Sequence, residues 1–215
     1  MRKSAAAALT AAGTAAFALL LSSTAYAANL TATVTNGGSV TAANSGNLVF
    51  KDTTTNQAIT CTSSHASGSV PNGTKSGASP LSVGSLSSVS FSGCTGTVLG
   101  IKVTFTVTTS NLPWSVNVTG ATSGSTTAGS ISGIATHLSA TGCSFDVGAG
   151  GTGVANGSYT NGTGALTASG SGSLPISNVS GCAGLVGNGH NGSLSGTYIV
   201  TNGSGGHPGI NVTSP

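Results

Sequence analysis

Only two side-chain carboxylates are available for acid–base chemistry. Asp52 and Asp146 are the sole acidic residues in the 215-residue chain, which contains no glutamate. Hydrolysis of a glycosidic bond usually requires two carboxyl groups that face the same bond. Asp52 lies in Lys51-Asp52-Thr53, a strand end or turn, whereas Asp146 lies in the different setting of Ser144-Phe145-Asp146-Val147. We interpret both aspartates as solvated turn residues and do not expect glycosidase activity.

Hydroxyl nucleophiles are abundant, but the histidines and acids that could activate them are not clustered in the sequence. A serine hydrolase needs a nucleophile, a base and an orienting acid, and the chain has no G-x-S-x-G motif. The four histidines are scattered as His65, His137, His190 and His207. We interpret each as a polar surface residue, and His190 as part of an exposed turn between Gly187 and Gly192. We predict no enzymatic activity and no catalytic residue.

Metal and cofactor chemistry also lacks a sequence pattern. The four cysteines, Cys61, Cys94, Cys143 and Cys182, form no C-x-x-C pair and no Cys/His cluster with the spacing of zinc ligands. No aspartate-rich loop of the calcium-binding type occurs. We therefore expect neither a metal site nor a cofactor.

The N-terminal residues predict export. Met1-Arg2-Lys3 is basic, an uncharged apolar run follows from Ala5 to Leu21, and Ala25-Tyr26-Ala27 places small residues where signal peptidase cleaves. Residues 1–27 are thus predicted to be a secretory signal peptide, formed as a helix, with cleavage before Ala28. The expected product is a secreted extracellular protein that is not held in a membrane after the signal is removed.

The exported part of the chain has very few charges. Residues 28–215 carry three lysines and two aspartates, which gives a net charge of +1. Without a basic patch to neutralise phosphates, nucleic acid and anionic membranes are not expected partners. A nearly uncharged surface provides little electrostatic repulsion. We therefore expect weak self-association or contact with the cell wall, and the identity of the partner stays open.

A repeated cysteine motif divides the chain into two copies. Ser92-Gly93-Cys94-Thr95-Gly96 is repeated as Ser180-Gly181-Cys182-Ala183-Gly184, and an earlier cysteine opens each interval. Other landmarks follow in the same order in both parts. An internal duplication is the favoured interpretation, with copies of about 28–119 and 120–215. In an exported chain four cysteines indicate two disulfides, and the duplication selects the pairs Cys61–Cys94 and Cys143–Cys182.

The periodicity of the chain predicts an all-β fold. The five apolar residues Leu99, Ile101, Val103, Phe105 and Val107 alternate mainly with threonines, which is typical of a half-buried strand. Similar alternation occurs at residues 30–35 and 194–201. Asn-Gly and Ser-Gly pairs separate the candidate strands and favour tight turns. We predict an antiparallel sandwich or barrel made of two similar halves, each with one disulfide. Residues 120–130 are either the joint between the halves or a hairpin loop.

Trp114 is the only tryptophan, and it has two interpretations. It follows Leu112-Pro113 in a predicted turn between strands. The favoured interpretation is a core residue beneath the first disulfide. The alternative is an exposed aromatic platform that binds a sugar ring or an apolar ligand. The corresponding place in the second copy is His207-Pro208-Gly209, so a platform would not be duplicated.

Several of these motifs together resemble a group of small exported proteins of Streptomyces and related actinobacteria. The resemblance rests on the alanine-rich signal, S-G-C-T-G, N-L-P-W, T-G-C-S, Y-T-N-G-T-G-A-L-T and V-S-G-C-A-G. It implies export and an all-β structure, and it implies no catalytic residue. The leading expectation is a non-enzymatic structural or surface-associated protein. The alternative is an extracellular module that binds a small apolar or carbohydrate ligand.

Overall fold

The computed structural model describes residues 29–215, so the predicted signal peptide lies outside the described residues. Within this range the chain forms thirteen strands and one short 3₁₀ turn at Ala149–Gly151. The strands are β1 (Asn29–Thr35), β2 (Gly38–Asp52), β3 (Ala58–Val70), β4 (Gly73–Ala78), β5 (Leu81–Val98), β6 (Ile101–Ser110), β7 (Trp114–Val118), β8 (Thr126–Ala140), β9 (Cys143–Val147), β10 (Gly153–Thr160), β11 (Ala165–Gly181), β12 (Asn191–Asn202) and β13 (Gly209–Thr213). The all-β prediction is confirmed. The described part contains no helix with the length and hydropathy of a membrane span.

Ten of these strands close into a barrel. Strands β6 and β7 form one interrupted line, because both pair antiparallel with β5 on one side and with β8 on the other. Strands β9 and β10 form a second such line between β8 and β11. The ring therefore runs β2, β3, β5, β6–β7, β8, β9–β10, β11 and β12, and β12 pairs with β2 to close it. Closure leaves no free edge within the ring.

Each end of the barrel is covered by a different element. At one end, β13, β1 and β4 form a small sheet whose apolar face contains Leu30, Ala32 and Val34. This face packs on valines at the ends of the barrel strands, including Val40 and Val118. At the other end, the loop between β11 and β12 inserts Leu185 and Val186 into the core. Burial of these side chains holds both covers in place.

The core is formed by apolar side chains that point inward at alternate positions along the strands. Val103, Phe105 and Val107 face inward, as their alternation predicts, and Phe105 is 3% exposed. Leu99 and Ile101 are exceptions, because they are 78% and 67% exposed. They stand at the tip of the β5–β6 hairpin, so the inward orientation expected for these two residues is wrong. Alternation determines which face of the strand a side chain is on. It does not determine burial, because this hairpin extends beyond the end of the core.

The two predicted disulfides are present and lie in similar places. Cys61 on β3 is the cross-strand partner of Cys94 on β5, and these cysteines are bonded. Cys143 at the start of β9 is bonded to Cys182, directly after β11. Each bridge joins the second and third lines of a four-line half of the barrel. This arrangement is the one that a duplication would produce, and the duplication itself stays a prediction.

The segment predicted to join the two halves is divided between a loop and a strand. Residues 119–125 connect β7 to β8, and β8 begins at Thr126. Since β7 and β8 are neighbours in the ring, the segment is a hairpin connection within one barrel. It also connects the first four lines of the ring to the last four, so both interpretations given above describe it.

Candidate functional site

A buried aspartate forms hydrogen bonds that hold the loop covering one end of the barrel. Asp52, at the end of β2, is 0% exposed. Its Oδ1 accepts hydrogen bonds from the backbone N–H groups of Thr54 and Thr55, and its Oδ2 lies 2.7 Å from Nδ1 of His190. Thr55 also donates its hydroxyl to the carbonyl of Leu185 at 2.8 Å. The pair therefore connects the β2–β3 turn to the covering loop.

This environment corrects two expectations about these residues. Asp52 lies at a strand end, as expected, but its side chain is buried and not solvated. His190 was expected in an exposed turn, but only 28% of its side chain is exposed. Burial alone would raise the pKa of Asp52. Hydrogen bonds from the Thr55 amide, the His190 ring and the Thr54 amide outweigh burial and hold that pKa below its ordinary value.

Asp52→Asn is expected to lower the free energy of unfolding at pH 7 by about 2–3 kcal/mol, because an amide replaces the charge-assisted hydrogen bonds of a buried carboxylate. The folded pKa of Asp52 is depressed, so its stabilising contribution is fully present above the unfolded pKa of about 4. That contribution is lost as the pH falls through the folded pKa. Urea unfolding of wild type and variant between pH 2 and 7 measures both effects, and the two stability curves should converge in acid.

Asp146→Asn is the matched control, because that carboxylate is 25% exposed and its loss is expected to cost less. Stability curves of wild type and Asp52→Asn that run parallel down to pH 2 would contradict the assigned role of Asp52.

A second histidine–aspartate pair lies on the outer surface of the barrel wall. Nδ1 of His137 on β8 is 2.6 Å from Oδ1 of Asp146 on β9, and Nδ2 of Asn178 is 2.7 Å from Oδ2 of the same carboxylate. The bonds from Asn178 and His137 hold the pKa of Asp146 below its ordinary value. Asp146 is therefore a strand residue in a surface network, and the prediction of a solvated turn is wrong for it.

Hydroxyl side chains surround this network in two cross-strand rows. One row consists of Thr106, Ser139, Ser144 and Ser180, and the other of Thr108, His137, Asp146 and Ser177. We call these eight residues, together with Asn178, the hydroxyl face. Neighbouring strands lie about 4.8 Å apart and the two rows about 7 Å apart. The face is thus a regular array of hydrogen-bonding groups in which the one carboxylate has partners on both oxygens.

Trp114 lies inside the barrel. The side chain is 3% exposed, and its Nε1–H donates to the carbonyl of Ser110 at 2.9 Å. The ring borders an interior cavity of about 130 Å³, whose lining is almost wholly apolar and also includes Tyr198 and Leu166. A buried indole does not offer the exposed platform of the alternative interpretation.

The structure brings together residues that the sequence analysis kept apart. Asp52 and His190 are far apart in the chain, and no local pattern indicates their contact. His137 and Asp146 are equidistant from the Thr141-Gly142 turn, so a hairpin at that turn would have placed them opposite each other. His65 is in contact with Ser63, and His207 with the carbonyl of Val200. Within residues 29–215, no three His, Cys, Asp or Glu side chains are grouped as metal ligands.

Comparisons with protein-family models, with curated proteins and with solved structures gave no significant match to this chain.

Proposed function

We propose that this chain is a secreted, non-enzymatic protein that associates with the cell wall or another extracellular surface. Its predicted signal peptide and its resemblance to exported actinobacterial proteins support export. The observation that carries the proposal is the hydroxyl face. Its rows present hydroxyl, imidazole and amide groups at regular spacing, and its single carboxylate is hydrogen bonded to His137 and Asn178. A surface of this kind suits neutral, hydrated polymers such as polysaccharides.

The chemistry of binding follows from the composition of the face. Each hydroxyl can donate and accept a hydrogen bond, so a row matches the hydroxyl groups of a sugar chain in either direction. Individual bonds at a wet surface contribute little net free energy. Many equally spaced weak contacts would nevertheless hold a rigid barrel on a polymer that offers repeated groups.

The small end sheet supports only weak self-association. The outer edge of β13 is occupied, since Val212 and Ile210 exchange hydrogen bonds with Thr122 and Asn161. The side of β4 away from β1 has no strand partner among the described residues. Lys75 stands on this edge, and an edge lysine discourages pairing with a second chain. We therefore place wall contact ahead of assembly.

Ser139→Glu is expected to reduce wall binding at least tenfold, because a negative charge and a longer side chain then occupy the centre of the hydroxyl face. Ser67→Glu is the matched control, since Ser67 is also a half-buried serine in mid-strand, paired with Ser88 on another part of the barrel. Cosedimentation with purified cell walls and with insoluble cellulose measures both variants, beside fractionation of the native protein between culture fluid and wall.

Equal binding by the two variants would reject the hydroxyl face as the contact. A native protein found wholly in the culture fluid, with no cosedimentation, would reject surface association altogether. Circular dichroism of each variant checks that the barrel remains folded.

A further inference from the structure

The interior cavity lies where the inward-facing residues are small. Ala42 on β2 and Ala66 on β3 are cross-strand partners, and Gly157 on β10 and Ala168 on β11 form a similar pair. All four line the cavity. Strands β3 and β10 occupy opposite positions in the ring, so neither wall sends a large side chain across the space at this level. The cavity therefore results from the small side chains at these positions.

Four aromatic residues line the cavity, and two of them come from another pair of opposite walls. Trp114 belongs to β7 and Tyr198 to β12, which face each other in the ring order. Aromatic rings provide large apolar surfaces with little conformational freedom. A small ligand would therefore contact preformed walls, and binding would not require the barrel to rearrange.

The polar groups near the cavity are already paired with each other. The Tyr198 hydroxyl shares a hydrogen bond of 2.7 Å with Ser64, and the Tyr159 hydroxyl donates to the carbonyl of Pro208 at 2.7 Å. Burial raises the pKa of Tyr198 to about 12, so its phenol is neutral at ordinary pH. Within residues 29–215, no buried side-chain nitrogen or oxygen lacks a partner. A ligand with its own hydroxyl would have to share groups that are already hydrogen bonded.

We infer that the barrel interior is a binding site for a small, uncharged, apolar molecule of about the size of a benzene ring. An engineered apolar cavity of about 150 Å³ in another protein stays free of water and binds benzene, and this cavity is of similar size and polarity. The inference concerns the interior of the barrel, and it is independent of the function proposed for the outer hydroxyl face.

Benzene and phenol are the probes that test the inference. Benzene at about ten times its Kd should raise the Tm of the wild type by roughly 3 °C, and it should change the fluorescence of Trp114. Phenol has a similar size, but its hydroxyl would lose its water partners and compete for groups that are already paired, so it should bind at least about tenfold more weakly. Phenol that binds as tightly as benzene would overturn the apolar ligand class.

Ala66→Leu fills the cavity and should abolish both the Tm shift and the fluorescence change with benzene. Ala78→Leu, on the exposed strand β4, is the control and should retain both. Ala155→Val adds less volume to the cavity lining and takes the place of Ala66→Leu if that variant does not fold. Absence of any benzene effect in the wild type, or an equal effect in a folded cavity-filled variant, would overturn the proposal.

Discussion

Replacing Trp114 by alanine is expected to lower the free energy of unfolding by about 3–5 kcal/mol, the usual range for truncation of a buried aromatic residue. The indole is 3% exposed, and it lies between the core and the interior cavity. Removing the ring would enlarge the existing space, and the flanking strands cannot close it because both are fixed by neighbours in the ring. Chemical denaturation of wild type and variant measures the loss.

Trp114→Phe separates the two contributions of the indole. Phenylalanine keeps most of the apolar contact but removes the hydrogen bond from Nε1 to the carbonyl of Ser110. A loss of about 1–2 kcal/mol is therefore expected for this variant. The fluorescence of the native indole should be blue-shifted and resistant to acrylamide. Denaturation curves of Trp114→Ala and wild type that overlay would contradict the core role and would favour an accessible platform.

Breaking the two disulfides is expected to destabilise the barrel by about 3–4 kcal/mol for each bridge. The reason is the entropy of the unfolded chain, which is restricted by loops that span 33 and 39 residues. Because these separations are similar, the two bridges should contribute equally, within about 0.5 kcal/mol, in the chain-entropy model. Denaturation of the pairwise alanine variants Cys61→Ala/Cys94→Ala and Cys143→Ala/Cys182→Ala measures each contribution.

An unequal result would identify a difference between the two halves of the barrel. Cys182 lies next to the loop that inserts Leu185 into the core, whereas Cys61 and Cys94 lie within paired strands. A larger loss for the second bridge would mean that it also holds the covering loop. A variant with neither bridge that unfolds at the wild-type denaturant concentration would contradict the entropic argument.

Local patterns were sufficient to predict the all-β class, part of the strands and the bridges, whereas β3, β4, β8, β9 and β10 were not predicted. Alternation of apolar and hydroxyl residues predicts the inward orientation of Val103, Phe105 and Val107 because side chains in a strand point to opposite faces. The repeated S-G-C-x-G motif predicts the cysteine pairs because similar halves place their cysteines in similar positions. Neither inference depends on contacts between distant parts of the chain, beyond the assumption that the halves resemble each other.

Tertiary structure alone decided the closure of the ring, the covers at its ends and the environments of the titratable residues. Asp52 is buried because the loop carrying Leu185 and His190 folds over the end of β2. Leu99 is exposed because its hairpin continues beyond the core. Where apolar and polar residues alternate clearly, the sequence by itself determined which side chains of a strand point inward, since that depends on neighbours along the chain. What each residue meets there depends on strands far away in the sequence, and only the closed barrel brings those strands together.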